Sequence, residues 1–371
     1  MTQRSVVRTL LGVLLAGAVS VHGMAQAAPA GRGAGAEVTF KVVTASERGT
    51  YIVLGRDLAT YVAPDAGIAL TALPSAGSSE NIYRLRNEPG VKLALVQSDV
   101  YQAFLDQAAA GNAEARNLIM PLRVVMPLYN EEIYFVARAD SPLNYVHDIR
   151  GMRINAGPVG SGTALTTTTL YNLMFKEPLA DANASFLSNE EALAKLVTDR
   201  SIDVVAIIAG QPAKVLTDMK PESRQYVKLL RFDPKDASSE AVLQTYFPAT
   251  VRATSYPNLL TEDLPSLAVK AYLVTYDFNL GNTREHLRRF ARDMCRNFFI
   301  LQSNGHPKWR EVSLALPDLG RGWAYYAPTT RELQACIATR VRAAPTPGKP
   351  TPFVPSSPAC PQQERVLGLC R

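Results

Sequence analysis

Residues 38–51 read Val38-Thr39-Phe40-Lys41-Val42-Val43-Thr44-Ala45-Ser46-Glu47-Arg48-Gly49-Thr50-Tyr51. The first six are rich in the β-branched and aromatic side chains that favour a pleated strand. A polar turn follows. Then Tyr51, Leu54, Leu58, Tyr61 and Val62 recur at steps of three and four, which is one apolar face of a helix. The phrase is then repeated. Ile68 to Leu73 reads as a second strand ending at Pro74-Ser75-Ala76-Gly77, and a short helix begins near Ser79 with Ile82 and Leu85 facing inward. Val91 to Val96 is a third strand, and the Tyr101–Ala110 region is helical. The order β-α-β-α-β implies a largely parallel sheet with helices on both faces, an α/β fold.

Further on, Leu122 to Met126 and Ile133 to Ala137 read as strands, and Asp148-Ile149-Arg150-Gly151-Met152-Arg153-Ile154 starts a second βα series. Its turn is Gly157-Pro158-Val159-Gly160-Ser161-Gly162, followed by a helix from Thr163 to Phe175. Glu190–Val197 is a helix, Ile202–Ile208 a strand, and Gly210-Gln211-Pro212 turns into a helix over Ala213–Met219. Two series in 371 residues fit two lobes, since a single core stops growing near ~250–300 residues. The expected division is 38–137 with 250–343 for the first lobe and 138–249 for the second, with crossings near Ala137 and Thr250 and the Tyr246–Tyr256 region returning to the first lobe. Long helices near Thr283–Ser303 and Thr330–Arg342 pack outside the first lobe.

The two ends of the chain read differently. Arg4 and Arg8 precede an apolar run from Leu10 to Val21, and Ala25-Gln26-Ala27 supplies a small-x-small cleavage pattern. This marks residues 1–27 as a secretory signal peptide, 28–37 as a flexible leader, and the periplasm as the destination. The run falls short of the about 20 residues that cross a bilayer. Residues 344–371 form a Pro-rich tail with Cys360 and Cys370, to which Cys295 and Cys336 add two more thiols. Export permits disulfides, and four thiols allow three pairings, so a C-terminal staple is expected without a set connectivity. Their spacing fits no zinc site. The formal charge of +6 falls to +4 without Arg4 and Arg8. The remaining Lys and Arg are scattered along the chain, which gives a solvated surface and no nucleic-acid footprint.

Three turns share one design: each ends a strand, carries Gly with Ser or Thr, and opens a helix. They are Thr44-Ala45-Ser46-Glu47-Arg48-Gly49-Thr50-Tyr51, Ser75-Ala76-Gly77-Ser78-Ser79-Glu80-Asn81, and Gly160-Ser161-Gly162-Thr163. A helix N-terminus has unpaired N–H groups and a partial positive charge, so it favours a carboxylate or phosphate. Glycine admits close approach and hydroxyls add directional bonds. The same residues also cap helices with no ligand at all, and Asn81 fits either role. Gln97-Ser98-Asp99 ends the third strand on the same edge, where Gln97 and Ser98 could bond a head group or cap a helix. Tyr134 and Tyr129 lie near the first crossing, as a wall over a cleft or as ordinary core. Gly210 belongs to the set through its strand-ending turn. Asp203 caps a strand or bonds backbone.

No catalytic set emerges. His147, His286 and His306 have no partner at a G-x-S-x-G elbow. Gly157 and Gly162 have phosphate-loop glycine spacing, but Thr163 stands where the Lys is required. The alternative is an exported hydrolase using Ser161, with no base to assign, or a carboxylate pair, for which no residues stand out. Binding of a small anionic organic molecule, without cofactor or metal, is the reading the residues favour over catalysis.

The succession Gly49-Thr50-Tyr51, Gly77-Ser78-Ser79-Glu80-Asn81 and Leu93-Ala94-Leu95-Val96-Gln97-Ser98-Asp99 resembles the TAXI family, the extracytoplasmic substrate-binding subunits of TRAP transporters. Asp148–Ile154, Gly157-Pro158-Val159-Gly160-Ser161-Gly162-Thr163, Glu191-Ala192, Ile202-Asp203 and Ala209-Gly210-Gln211-Pro212-Ala213 continue the resemblance, which spans about Val38 to Met219. It implies a type II periplasmic-binding-protein fold with a hinged cleft. It also implies a chain that binds a small carboxylate, such as an amino acid or a 2-oxoacid, and hands it to a TRAP-type permease; a monomer is expected. A receptor-docking sensor is the alternative. By resemblance, Ser46, Gly49, Thr50, Tyr51, Ser78, Asn81, Gln97, Ser161 and Thr163 line the cleft. The final third departs: Gly322-Trp323-Ala324-Tyr325-Tyr326 resembles the family only loosely, and the Cys/Pro tail not at all.

Overall fold

The computed structural model describes residues 37–319 and 322–343. The signal peptide, most of the leader and the tail with Cys360 and Cys370 lie outside the described residues.

The first βα series folds as its pattern dictates. Strand β1 (Val38–Val43) pairs in parallel with β2 (Ile68–Leu73) and β3 (Val91–Gln97). Helices α1 (Thr50–Tyr61) and α2 (Ser78–Asn87) connect them, and α3 (Ser98–Ala109) and α4 (Ala113–Ile119) follow β3. Strand alternation sends Val42 into one core with Leu54, Leu58 and Phe290, and Val43 into another with Ile82, Leu85 and Val96. The sheet is therefore covered on both faces.

The next strand corrects the sequence reading. The two strands expected at Leu122–Met126 and Ile133–Ala137 are one strand, β4 (Leu122–Arg138). Pro127 cannot donate to a ladder and reads as a break, but here it stands beside an irregularity in the pairing register. Beyond β4 come β5 (Ile154–Asn155), α5 (Gly162–Phe175), β6 (Ala184–Ser185), α6 (Asn189–Val197), β7 (Val204–Ala209) and α7 (Lys214–Thr217). Here β5 lies parallel to both β6 and β7. Short elements β8 (Val227–Leu229), α8 (Glu240–Leu243) and β9 (Phe247–Val251) follow.

Strand β10 (Leu264–Tyr276) has no counterpart in the sequence reading, and it is central. It runs antiparallel to β4 along its length, to β3 through Ala271–Val274, and to β9 through Leu264–Ala268. The sheet order is β2-β1-β3-β10-β4-β7-β5-β6, parallel at both flanks and antiparallel in the middle. Only β4 and β10 belong to both halves. Leu267 and Val269 pack with Phe135, Leu170 and Val204, whereas Leu273 packs with Val42 and Leu95. Val251 and Tyr256 also pack in the second half, beside Val205 and Ile207. The return crossing expected near Thr250 is thus made by β10.

The helix read from Thr283 to Ser303 is two, α9 (Gly281–Arg296) and α10 (Phe298–Asn304). At the junction the Asn297 side-chain amide donates to the Tyr61 carbonyl at 2.7 Å and to Asp65 at 2.8 Å, which ties the bend to α1. Helix α11 (Ala327–Ala343) lies along α9, and a disulfide between Cys295 and Cys336 joins them. No helix among the described residues is long and apolar enough to cross a membrane.

Candidate ligand-binding site

A cavity of about 150 Å³ opens between the halves. The first half supplies the turn before α1 (Ala45, Ser46, Arg48, Gly49, Thr50, Tyr51), the turn before α2 (Ala76, Gly77, Ser78), Gln97 from β3 and Glu131 from β4. Pro158, Ser161, Gly162 and Thr163 face them from α5, with Ser188, Asn189 and Glu190 from α6 and Ala213 and Lys214 from α7. The N-termini of three long helices and of α6 therefore meet at one place.

Two of those N-termini are left open. The residues preceding α1 and α2 are Gly49 and Gly77, and neither helix receives a side-chain cap. A helix start leaves its first N–H groups without intrahelical partners; in α2 the Glu80 N–H is taken by the Gly160 carbonyl, while those of Ser78, Ser79 and the first turn of α1 find no partner among the described residues. Helix α5 differs. The Ser161 Oγ accepts from Ala164 N at 3.0 Å, as an N-cap does, and keeps its own O–H to donate. Gly77 has φ 132°, a conformation for glycine. A Cβ there would lie 3.2 Å from Gly162 N, so the two helix starts nearly touch across the cavity.

The halves are also bonded to each other. Glu80 N donates to the Gly160 carbonyl at 3.1 Å. Arg48 reaches Asp218 at 2.7 Å and Glu190 at 3.2 Å. Deeper in, the buried Asp99 accepts from Thr166 Oγ1 at 2.5 Å and from the Tyr246 hydroxyl at 3.0 Å. Burial pushes its carboxyl up to about 6 against those two donors. These bonds hold the two halves against each other around the cavity.

The cavity floor carries a residue that the sequence reading missed. Glu131 is 4% exposed and accepts the Tyr51 hydroxyl at 2.6 Å. Burial pushes its carboxyl up to about 8, more than that hydrogen bond lowers it. Beside it, Gln97 is also buried, and its Oε1 has no hydrogen-bond partner among the described residues. Strand alternation turns the next residue the other way. Glu132 meets the fully buried Lys308 at 3.0 Å and accepts from Gln211 N at 2.7 Å. Two adjacent acids, Glu131-Glu132, within a mostly apolar strand were the available signal.

Of the residues singled out from sequence, Ser46, Gly49, Thr50, Tyr51, Ser78, Gln97, Ser161, Gly162 and Thr163 line the cavity. Five do not. Asn81 braces the turns: its amide donates to the carbonyls of Thr44 and Leu95, and its oxygen accepts from Ser75 Oγ at 2.6 Å. Ser98 starts α3, and its carbonyl accepts from Trp323. Tyr134 is core, its hydroxyl 2.8 Å from that of Tyr256, so it is no cleft wall. Gly160 makes the backbone bond to Glu80 described above. Gly210 is a packing glycine, where a Cβ would stand 2.7 Å from the Tyr129 ring. Asp203 is paired with Arg153 at 2.7 Å. No histidine lines the cavity, so Ser161 has no imidazole beside it there.

Fold and site together define an α/β chain of two halves with a polar cavity between them. The chain belongs to the NMT1-like family, whose profile matches residues 42–281. It is similar to solved structures at low identity. One is described as the structure of a periplasmic transporter (10% identity, 83% of this chain and 97% of that chain, TM-score 0.43). Another is the periplasmic binding protein BugD (10%, 83% and 98%, TM-score 0.43). A third is the Candida albicans CA3427 gene product, described as exhibiting the generic periplasmic binding protein fold (14%, 81% and 90%, TM-score 0.44).

Proposed function

We propose that this chain is an extracytoplasmic solute-binding protein that encloses a small carboxylate between its two halves. One observation carries the reading: helix starts from both halves, two of them without side-chain caps, share a cavity. The carboxylate oxygens would accept from the free N–H groups of α1 and α2 and from the hydroxyls of Thr50 and Ser161. Each charge-assisted hydrogen bond contributes roughly 1.5–3 kcal/mol, so a few suffice for micromolar affinity at about −8 kcal/mol. Closure follows only from tighter binding to the closed form, which contacts from both halves provide. The parts that move would be 38–137 with the chain beyond β10, and 138 up to the start of β10. The resemblance to TAXI proteins supports a periplasmic location and delivery to a TRAP-type permease; the chain would act as a monomer.

The test is native mass spectrometry of protein purified from cells, followed by a melting screen against amino acids, dicarboxylates and 2-oxoacids. A retained or stabilising carboxylate is expected, with binding weakened in Ser161→Ala and Thr50→Ala while the fold is kept. If no carboxylate raises the melting temperature, or both variants bind as the parent does, the assignment fails.

A further inference from the structure

Along the chain the basic residues look dispersed; in the fold they are gathered. On α9, Arg284, Arg288, Arg292 and Arg296 recur at steps of four and therefore share one stripe. Helix α11 lies beside it with Arg331 and Arg340. Counting Arg289 and Arg342 as well, the pair carries eight arginines against Glu285, Asp293 and Glu332, a surplus of five positive charges. Some are engaged: Arg288 with Glu332, and Arg296 with Asp293 at 3.1 Å. Arg284 and Arg331 pair with no carboxylate among the described residues. With Arg288 they line a cavity of about 400 Å³, whose one carboxylate, Asp277, is held by Arg123 at 3.1 Å.

We propose that this α9–α11 face binds the phosphate headgroups of an anionic membrane surface. A guanidinium presents a planar fork that matches phosphate oxygens. Clustered basic side chains are drawn to anionic bilayers, and apolar side chains beside them enter the boundary between headgroups and acyl chains. Large apolar residues stand in water on either side of α9 in the chain: Leu280, just before it, is 71% exposed, and Phe299, in α10, is 72% exposed. None of these residues lines the cavity between the halves. Lipid contact is accordingly separate from solute capture, and it would hold the protein near a membrane without a spanning segment.

Vesicle co-sedimentation tests this. The protein is mixed with vesicles of phosphatidylcholine alone or with about one third phosphatidylglycerol, in low and high salt. Binding only to the anionic vesicles, lost in high salt, is expected. Arg284→Gln and Arg331→Gln should each weaken it about fivefold, and the double variant about 25-fold. Both variants keep the parent's N-terminus, so only the arginine face differs, and unchanged urea midpoints show that the fold is retained. Leu280→Ser with Phe299→Ser should weaken binding as well. Three results overturn the proposal: no binding to anionic vesicles, binding that the double arginine variant keeps, or arginine-dependent binding of inorganic phosphate or polyglutamate without any to vesicles.

Discussion

Replacing Glu131 by Gln should make the protein more stable, and increasingly so as pH rises. The unfolded carboxyl titrates at its ordinary 4.5, whereas burial raises it to about 8 in the folded chain. Between those values the folded state holds a proton that the unfolded state has released. The stability associated with that proton is intact below pH 4.5 and is lost as pH climbs through 8. Each pH unit corresponds to about 1.4 kcal/mol. The deficit is therefore about 3 kcal/mol at pH 7 and approaches about 5 kcal/mol at pH 9. A glutamine escapes it and still offers an oxygen to the Tyr51 hydroxyl. Urea unfolding followed by circular dichroism from pH 5 to 9 should show two curves that nearly meet at low pH and diverge toward pH 8. Parallel curves, or a variant less stable than the parent at pH 8, would mean that Glu131 is not a neutral buried acid, and the reasoning would fail. A carboxyl retained at such a cost inside a cavity fits a trade of stability for function, so the stabilised variant should also bind solute more weakly.

Gly162→Ala should reduce solute affinity by about 5- to 150-fold, the range for about 1–3 kcal/mol of overpacking. Its Cβ would overlap Gln97 Oε1 and lie 2.7 Å from Ser78 Oγ, both in the opposite half. Titration calorimetry reads the loss, and an unchanged affinity would show that the close approach of Gly162 to Gln97 and Ser78 does not matter for binding. Lys308→Met should destabilise by about 3–5 kcal/mol, since it leaves Glu132 buried without its partner. Adding Glu132→Gln should restore much of that in urea melts, and an absence of rescue would show that the ion pair is not the cause.

How far the sequence carried depended on whether the signal was local. The first βα series was legible almost residue for residue, because β1, β2 and α1 each show their own period and end in their own turn. The same held for the cavity. Nine of its lining residues were legible, because helix starts with Gly, Ser and Thr announce themselves in any context. The interruption of β4 was misread, since Pro127 marks a break locally and only the pairing with β10 shows the strand continuing past it. Asn81 and Tyr134 have side chains suited to a ligand, yet their partners come from other segments, at spacings that no local pattern predicts: Asn81 bonds Leu95, and Tyr134 bonds Tyr256.

By itself, then, the sequence determined the α/β class, the repeated strand-turn-helix units and the helix starts that could accept an anion. These follow from backbone propensity and from hydrophobic period, which act over a few residues. The tertiary structure decided that those starts face one another, that Glu131 enters their cavity while Glu132 turns away to Lys308, and that dispersed arginines assemble into one face. Each of these depends on which distant segments the sheet brings together, and long-range burial is a property of the whole fold.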